Sequence, residues 1–471
     1  MAPDVPAAVA AGDLSFIGER ELHDWVVAQR WFASKAREVA SLNVLEAAPL
    51  RSEPPLLVLA LVEARFTPGT HETYQVPLGL RPASQGWADR VILEADGWTV
   101  YDGLADPALG RELLHRMRQR SELAVEEGTL GFRWAESADV ALGGTVDVRP
   151  VGVEQSNSSI VFGDQLILKA FRRVEPGENP ELELLRFLSA RGFPNIAPLA
   201  GWYEWEGRLV DATLGILQAY LHGAREGWEL VLDELGADPE SLLSRLGALG
   251  EVVGEMHTVL GSEAVDPAFA PDEPSVESLS LLCADIDEQI ERQFMELPEG
   301  EAVAPIAGRG QDVRERLQLL SHIGAAGKVI RTHGDLHLGQ TMLTADRGWV
   351  ILDFEGEPAR SLPERRLKRS PLRDVAGMLR SFSYAAFGSE QLRGVPAPEG
   401  WETRARGAFL DGYFARVDPS LLPPGQQATG NLLAVFELEK AVYELRYELN
   451  NRPDWVPIPV AGIVRLLEDD E

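Results

Sequence analysis

The chain has 471 residues, 45% of them hydrophobic, with a single cysteine and 74 acidic against 44 basic side chains, a formal charge of −30. Such a length suggests about two to four domains with packed cores, not a disordered chain. That charge repels phosphate backbones and anionic lipid, so no nucleic acid and no membrane partner is expected, and the lone Cys283 excludes an internal disulfide or a multi-thiolate metal site. The start, MAPDVPAAVA, has no cationic residues ahead of an apolar stretch, and no run approaches the ~18 apolar residues of a bilayer span. A cytoplasmic protein is expected.

In chain order, Glu19 to Arg30 has helical spacing, and Leu56 to Phe66 and Glu72 to Leu80 read as strands, the first nearly all apolar. The cluster Gln29-Arg30-Trp31-Phe32, with Lys35 and Arg37, reads as a half-buried packing patch. From Val146 the texture becomes β-rich. Val146 to Val153 is a strand, Glu154 to Ser159 a polar loop, and Ile160 to Phe162 a strand again. Gly163-Asp164 is a two-residue turn, and Gln165 to Phe171 a strand carrying Lys169. Asn179-Pro180 opens a helix with Glu181 and Glu183 in its first turn, and Gly192-Phe193-Pro194 closes it. Strands follow near Pro198 to Trp205 and Leu214 to Tyr220. Beyond His222 helices dominate: Leu242 to Leu260, Ala284 to Phe294, Gln311 to His322, Leu372 to Ala385 and Asn431 to Asn450. One strand pair, Thr341 to Leu343 and Trp349 to Leu352, interrupts them, and 262–275 and 388–400 read as loops.

The chemistry concentrates in Thr332-His333-Gly334-Asp335-Leu336-His337-Leu338-Gly339-Gln340. Protein kinases use H-R-D-L-x-x-x-N, in which the aspartate takes the substrate hydroxyl proton and the asparagine binds metal. Here Asp335 has the carboxamide Gln340 five residues on, a neutral oxygen ligand suited to Mg²⁺. Asp353, ending the apolar run Val350-Ile351-Leu352 and followed by Phe354, matches the aspartate that chelates the phosphate-bridging Mg²⁺. Lys169, a lone cation in an apolar strand, is the expected partner of ATP phosphates. Glu183 is preferred over Glu181 as its helix partner because it lies a full turn inside the helix. The loop Gln155-Ser156-Asn157-Ser158-Ser159 replaces a glycine-rich phosphate loop, with Ser156, Asn157 and Ser158 as ATP-binding candidates. His333 and His337 flank Asp335 as substrate-binding candidates. Lys440, Tyr443, Glu444 and Tyr447 recur at i, i+3, i+4 and i+7, one helix face with the polar and aromatic groups that hold a sugar.

These strings, with Asp353 through Pro358, Arg373 through Phe382 and Lys440 through Trp455, resemble the maltokinase family of the aminoglycoside-phosphotransferase-like superfamily, from near residue 20 to near 460. The resemblance implies an α+β, bilobal protein-kinase-like fold: an N-terminal α+β cap at 1–145, a kinase N-lobe at 146–221 and a helical C-lobe at 222–471. It implies ATP and Mg²⁺ as cofactors and phosphoryl transfer to the anomeric hydroxyl of maltose. Asp335 would be the base, Gln340 and Asp353 the metal ligands, and Gln218, Ala219 and Tyr220 the hinge against adenine. It also implies a functional link to trehalose synthase and a maltosyltransferase. The chain departs from the family at Ala33-Ser34, where relatives carry two glycines, and at Ser383, where they carry an acid. An amino-sugar kinase of the same architecture is the alternative acceptor reading. A pseudokinase-like binding module is the non-enzyme alternative, against which every catalytic position stands filled.

Overall fold

The computed structural model describes residues 4–67, 69–136, 146–151, 157–321 and 325–468. The chain divides into two compact units, residues 1–190 with 197–222 and residues 191–196 with 223–471.

In the first unit, strands Val39–Arg51, Leu56–Phe66, His71–Pro82, Trp98–Asp102 and Val91–Ala95 lie in that order in one antiparallel sheet. The interior strand Leu56–Phe66 is apolar on both faces for a topological reason. Leu57, Leu59 and Leu61 enter one buried cluster, while Leu56, Val58, Ala60 and Val62 enter another on the opposite face. Trp31 and Phe32 are buried in the second cluster, Trp31 edge-on to Trp25 at 5.8 Å, which makes the aromatic run a packing device as expected. The 13-residue strand Val39–Arg51 and the helix Pro107–Gln119, started by the Asp106 carboxylate on the Ala108 amide at 2.8 Å, add to the elements expected here.

A second, seven-stranded antiparallel sheet runs Glu122–Ala124, Gly128–Trp134, Leu199–Gly207, Ala212–Ala219, Leu166–Phe171, Asn157–Phe162 and Val148–Val151. Two of its strands precede residue 146, so the expected boundary at 145/146 cuts through one sheet. Residues 191–196, expected in the N-lobe, group with the second unit, where the Asn195 amide donates to Trp349 O at 2.6 Å. Gly163 and Asp164 both take positive φ, +53° and +50°, as the two-residue turn requires. Buried Gln75 staples three strands: its amide donates to Phe171 O and Leu214 O, both at 2.7 Å, and its oxygen accepts from Tyr203 Oη at 2.8 Å.

The second unit is helical around a small sheet of Arg225–Glu226, Thr341–Thr344 and Gly348–Ile351. Helices Pro239–Leu260 and Trp401–Arg416 cross at glycines. A Cβ on Gly250 would lie 2.0 Å from Phe409 O, and one on Gly412 2.0 Å from Gly247 O. The close crossing seats His257 and Tyr413 side by side. Helix Leu372–Arg393 continues to Arg393, so the loop expected from 388 starts at 394. Among the described residues no helix is long and apolar enough to cross a membrane.

Candidate active site

Residues 332–340 are held from beneath by Asp374, in the first turn of helix Leu372–Arg393. Its carboxylate accepts from the amides of His333 at 2.8 Å and Gly334 at 2.9 Å, and from His257 Nε2 at 3.1 Å. His257 Nδ1 in turn meets Tyr413 Oη at 3.0 Å. Gly334 takes φ +86°, and a Cβ there would press on Gly356 Cα at 3.2 Å, so glycine suits the turn.

Burial alone would raise the Asp374 pKa, but His257 and the loop amides hold it below the ordinary carboxylate range. A lowered folded pKa means that its stabilisation is present above the unfolded value near pH 4 and fades as acid approaches the folded value. Asp374→Ala orphans the buried His333 amide and buried His257, frees the Gly334 amide, and is expected to cost about 3–5 kcal/mol in urea unfolding. A loss below about 1 kcal/mol would remove Asp374 as the support of the loop.

His333 points inward. It is 1% exposed, its Nε2 donates to Leu352 O at 2.7 Å, and its Nδ1 accepts the Asp335 amide at 3.3 Å. This corrects the expectation that it touches substrate: the ring spends one nitrogen on Leu352 and the other on positioning Asp335. Asp335 keeps its carboxylate partly open, with Oδ1 3.5 Å from Lys440 Nζ. His337 caps the turn, accepting from the Gly339 amide at 3.1 Å, and burial holds its pKa below the usual histidine range despite Asp335.

Gln340 and Asp353 are brought together: Gln340 Nε2 donates to Asp353 Oδ2 at 3.0 Å, and the Leu352 amide donates to Gln340 O at 2.9 Å. Asp353 adopts φ +60°, a left-handed backbone uncommon for a non-glycine residue. A carboxylate beside a carboxamide oxygen is a hard-oxygen donor set, which fits a Mg²⁺ ion.

Beside Asp335 opens a cavity of about 870 Å³, and Lys440, Tyr443, Glu444 and Tyr447 line it as the helical spacing predicts. Burial opposes the Lys440 charge, yet Asp335, Glu357 and Glu444 keep its pKa above the ordinary lysine value. Glu444 is committed: its Oε2 accepts both Arg380 Nε at 2.9 Å and Arg380 Nη2 at 2.7 Å, with Arg380 1% exposed. The aromatic wall was not expected. Trp228, Tyr384 and Trp455 line the same cavity, Tyr384 stacks on Trp455 at 6.0 Å, and Arg452 lies over Tyr447 and Trp455 at 5.5 and 5.1 Å. Its sequence signal was an aromatic residue placed directly beyond the end of the helix bearing Lys440. Ser383 lies elsewhere, its Oγ donating to Glu402 at 2.6 Å, so loss of the acid there does not bear on the cavity.

In the first unit, Lys169 pairs with Glu181 at 3.0 Å, which corrects the choice of Glu183. The start of helix Pro180–Ala190 is not frayed. Asn179 Oδ1 accepts the Glu181 amide at 2.8 Å, and Thr213 Oγ1 holds the Asn179 amide at 3.1 Å. Glu181 is therefore fixed and only 2% exposed. Gln155 and Ser156 lie outside the described residues. Asn157 and Ser158 belong to strand Asn157–Phe162, not to a loop, and Ser158 Oγ accepts from Arg172 Nε at 2.8 Å. The strand corrects the loop expected at these two residues, while the Ser158 hydroxyl keeps its own hydrogen to donate. Gln218 is buried in its strand. The Ala219 and Tyr220 amides donate to Pro198 O at 2.9 Å and Gln165 O at 2.8 Å, so neither remains as a donor to adenine.

Residues 147–410 match the model of the phosphotransferase enzyme family, and residues 25–106 match the maltokinase N-terminal cap domain. A glucosamine kinase of Streptacidiphilus jiangxiensis is 26% identical over 340 residues, 68% of this chain and 74% of that one. The glucosamine kinase of Mycolicibacterium smegmatis is 28% identical over 337 residues, 68% of this chain and 80% of its own length. A solved glucosamine kinase in complex with glucosamine, ADP and inorganic phosphate superposes with a TM-score of 0.70 over 99% of this chain and 100% of that one. At 20% sequence identity this is a likeness of fold.

Proposed function

The chain belongs to the phosphotransferase enzyme family, with the kinase-like α+β fold and an N-terminal cap domain, and from that membership we propose that it is an ATP-dependent maltose 1-kinase. Asp335 acts as general base. The anomeric oxygen of the sugar attacks the γ-phosphorus, the bond from that phosphorus to the β–γ bridging oxygen breaks, and ADP departs. The hydroxyl proton passes to the Asp335 carboxylate. Lys440, 3.5 Å from that carboxylate, orients it and adds positive charge at the reacting end. Lys169, clamped by Glu181, binds phosphate oxygens, and adenine lies at the strand end 218–220. Gln340 and Asp353 would hold Mg²⁺, which when bound supplies charge neutralisation at the phosphates. The cap and nucleotide-binding parts occupy the first unit, the acceptor part the second.

One observation carries the choice of a disaccharide: the length of the cavity. Its lining runs along helix Gln426–Asn451 from Lys440 to Glu448, about 12 Å at ~1.5 Å per residue, and continues past the helix end to Arg452 and Trp455. One pyranose ring would leave the aromatic end bare. The match of residues 25–106 to the maltokinase cap supports the same acceptor. An amino sugar is the second reading, favoured by the names of the two curated relatives. Against it, the cation Lys440 stands at the reacting end, while Glu444 and Glu448 are already neutralised by Arg380 and Arg452.

The test is ADP release with maltose, glucosamine, glucose or no sugar. Maltose is expected to give the highest kcat/KM. Preference for glucosamine would replace the acceptor and keep the kinase, whereas no sugar-dependent release would end both readings. Trp455→Ala is expected to raise the maltose KM roughly tenfold with the ATP KM unchanged. Trp455 is a cleaner probe than Glu444, whose loss strands the buried Arg380.

A further inference from the structure

Between strand Gly348–Ile351 and helix Leu372–Arg393, residues 360–369 are basic in an otherwise acidic chain, with Arg360, Arg365, Arg366, Lys368 and Arg369 against Glu364 alone. Arg360, Arg369 and Arg373 line a second, narrow cavity of about 100 Å³. Asp335, Lys440 and Tyr443 border both this cavity and the larger one, so they form the wall between the two.

Most carboxylates around the narrow cavity already have a cation or donor. Glu357 takes Arg360 at 2.6 Å, Glu439 takes Arg373 at 2.7 Å, Asp335 faces Lys440, and Asp374 is filled by His257 and two amides. Glu364 is exposed and spends Oε2 on the Ser361 amide and hydroxyl. Among the described residues the Arg369 side chain makes no hydrogen bond or ion pair. Its backbone is nonetheless clamped to Ile330 in both directions, at 2.8 and 2.9 Å, which fixes the point from which the side chain projects. Burial, with Arg373 and Arg360 beside it, pushes its pKa below the usual arginine value. A half-buried guanidinium with two like charges next to it is the arrangement that a tetrahedral oxyanion satisfies.

We propose that this cavity binds an oxyanion of the size of one phosphate, ligated by Arg369 and flanked by Arg360 and Arg373. The anion is either free inorganic phosphate or the phosphoryl group of a sugar phosphate. Bordering Asp335, the site opposes acceptor turnover when filled, whichever sugar the enzyme takes.

The experiment is calorimetric titration of the full-length protein with inorganic phosphate, without Mg²⁺, with and without saturating ADP. One phosphate site is expected, with an affinity unchanged by ADP. Arg369→Met is expected to weaken phosphate at least about tenfold while leaving the ATP KM as in wild type, and Arg369→Lys to weaken it less. Circular dichroism checks that each variant folds, and Arg360→Met supplies a second reading if Arg369→Met does not. Competition by maltose 1-phosphate but not maltose assigns the site to a sugar phosphate, and its absence assigns it to free phosphate. Wild-type affinity in both folded variants, displacement of phosphate by ADP, or no binding at millimolar phosphate overturns the proposal.

Discussion

Asp335→Asn is expected to leave a folded, nucleotide-binding protein whose turnover falls by about 10²–10⁴. The substitution preserves size and hydrogen bonding and removes only the capacity to accept a proton. The loop itself is built from other groups, since Asp374 holds the amides of His333 and Gly334 and His333 holds the amide of Asp335. Thermal unfolding should therefore change little, and ADP affinity should stay near wild type. The exposed face of the change is Lys440, which loses the carboxylate 3.5 Å away. Single-turnover ADP formation is the direct measurement. A variant within a factor of three of wild type, a bound set by the smallest loss expected of a general base, would falsify the assignment.

Asp353→Ala is expected to abolish measurable turnover, because the phosphates lose the anchor of their counter-ion. Gln340 offers a finer test at the same point. Gln340→Asn retains a carboxamide oxygen and should keep most of the activity at raised Mg²⁺, whereas Gln340→Leu should not respond to Mg²⁺ at all. The contact of Gln340 with Asp353 at 3.0 Å motivates the pairing. Equal activity of the Asn and Leu variants across a Mg²⁺ titration would take Gln340 out of the metal site.

What was legible in the sequence was local. The strand Leu166–Phe171 with Lys169, the turn at Gly163-Asp164, the helix behind Asn179 and the stripe Lys440, Tyr443, Glu444 and Tyr447 each follow from spacing within a few residues. Errors came where a distant partner decides. Glu181 looked frayed because the Thr213 that fixes its cap is 34 residues from Asn179. His333 looked available because Leu352, which takes its Nε2, lies 19 residues on. Asp374 escaped notice because its meaning depends on His257, 117 residues earlier, and on Tyr413 behind it.

The seven-stranded sheet bears on how such a protein could be rearranged by recombination. Strand Leu199–Gly207 is sandwiched between Ala212–Ala219 and Gly128–Trp134 through seven paired residues on the latter side. A gene fusion joined at residue 146 would discard that neighbour and bare the main-chain groups of a strand that carries Trp202, Tyr203 and Trp205. Open edges of this kind recruit other chains. A junction at 146 is therefore poorly tolerated, and residues 122–134 are inherited together with the sheet that bears Lys169.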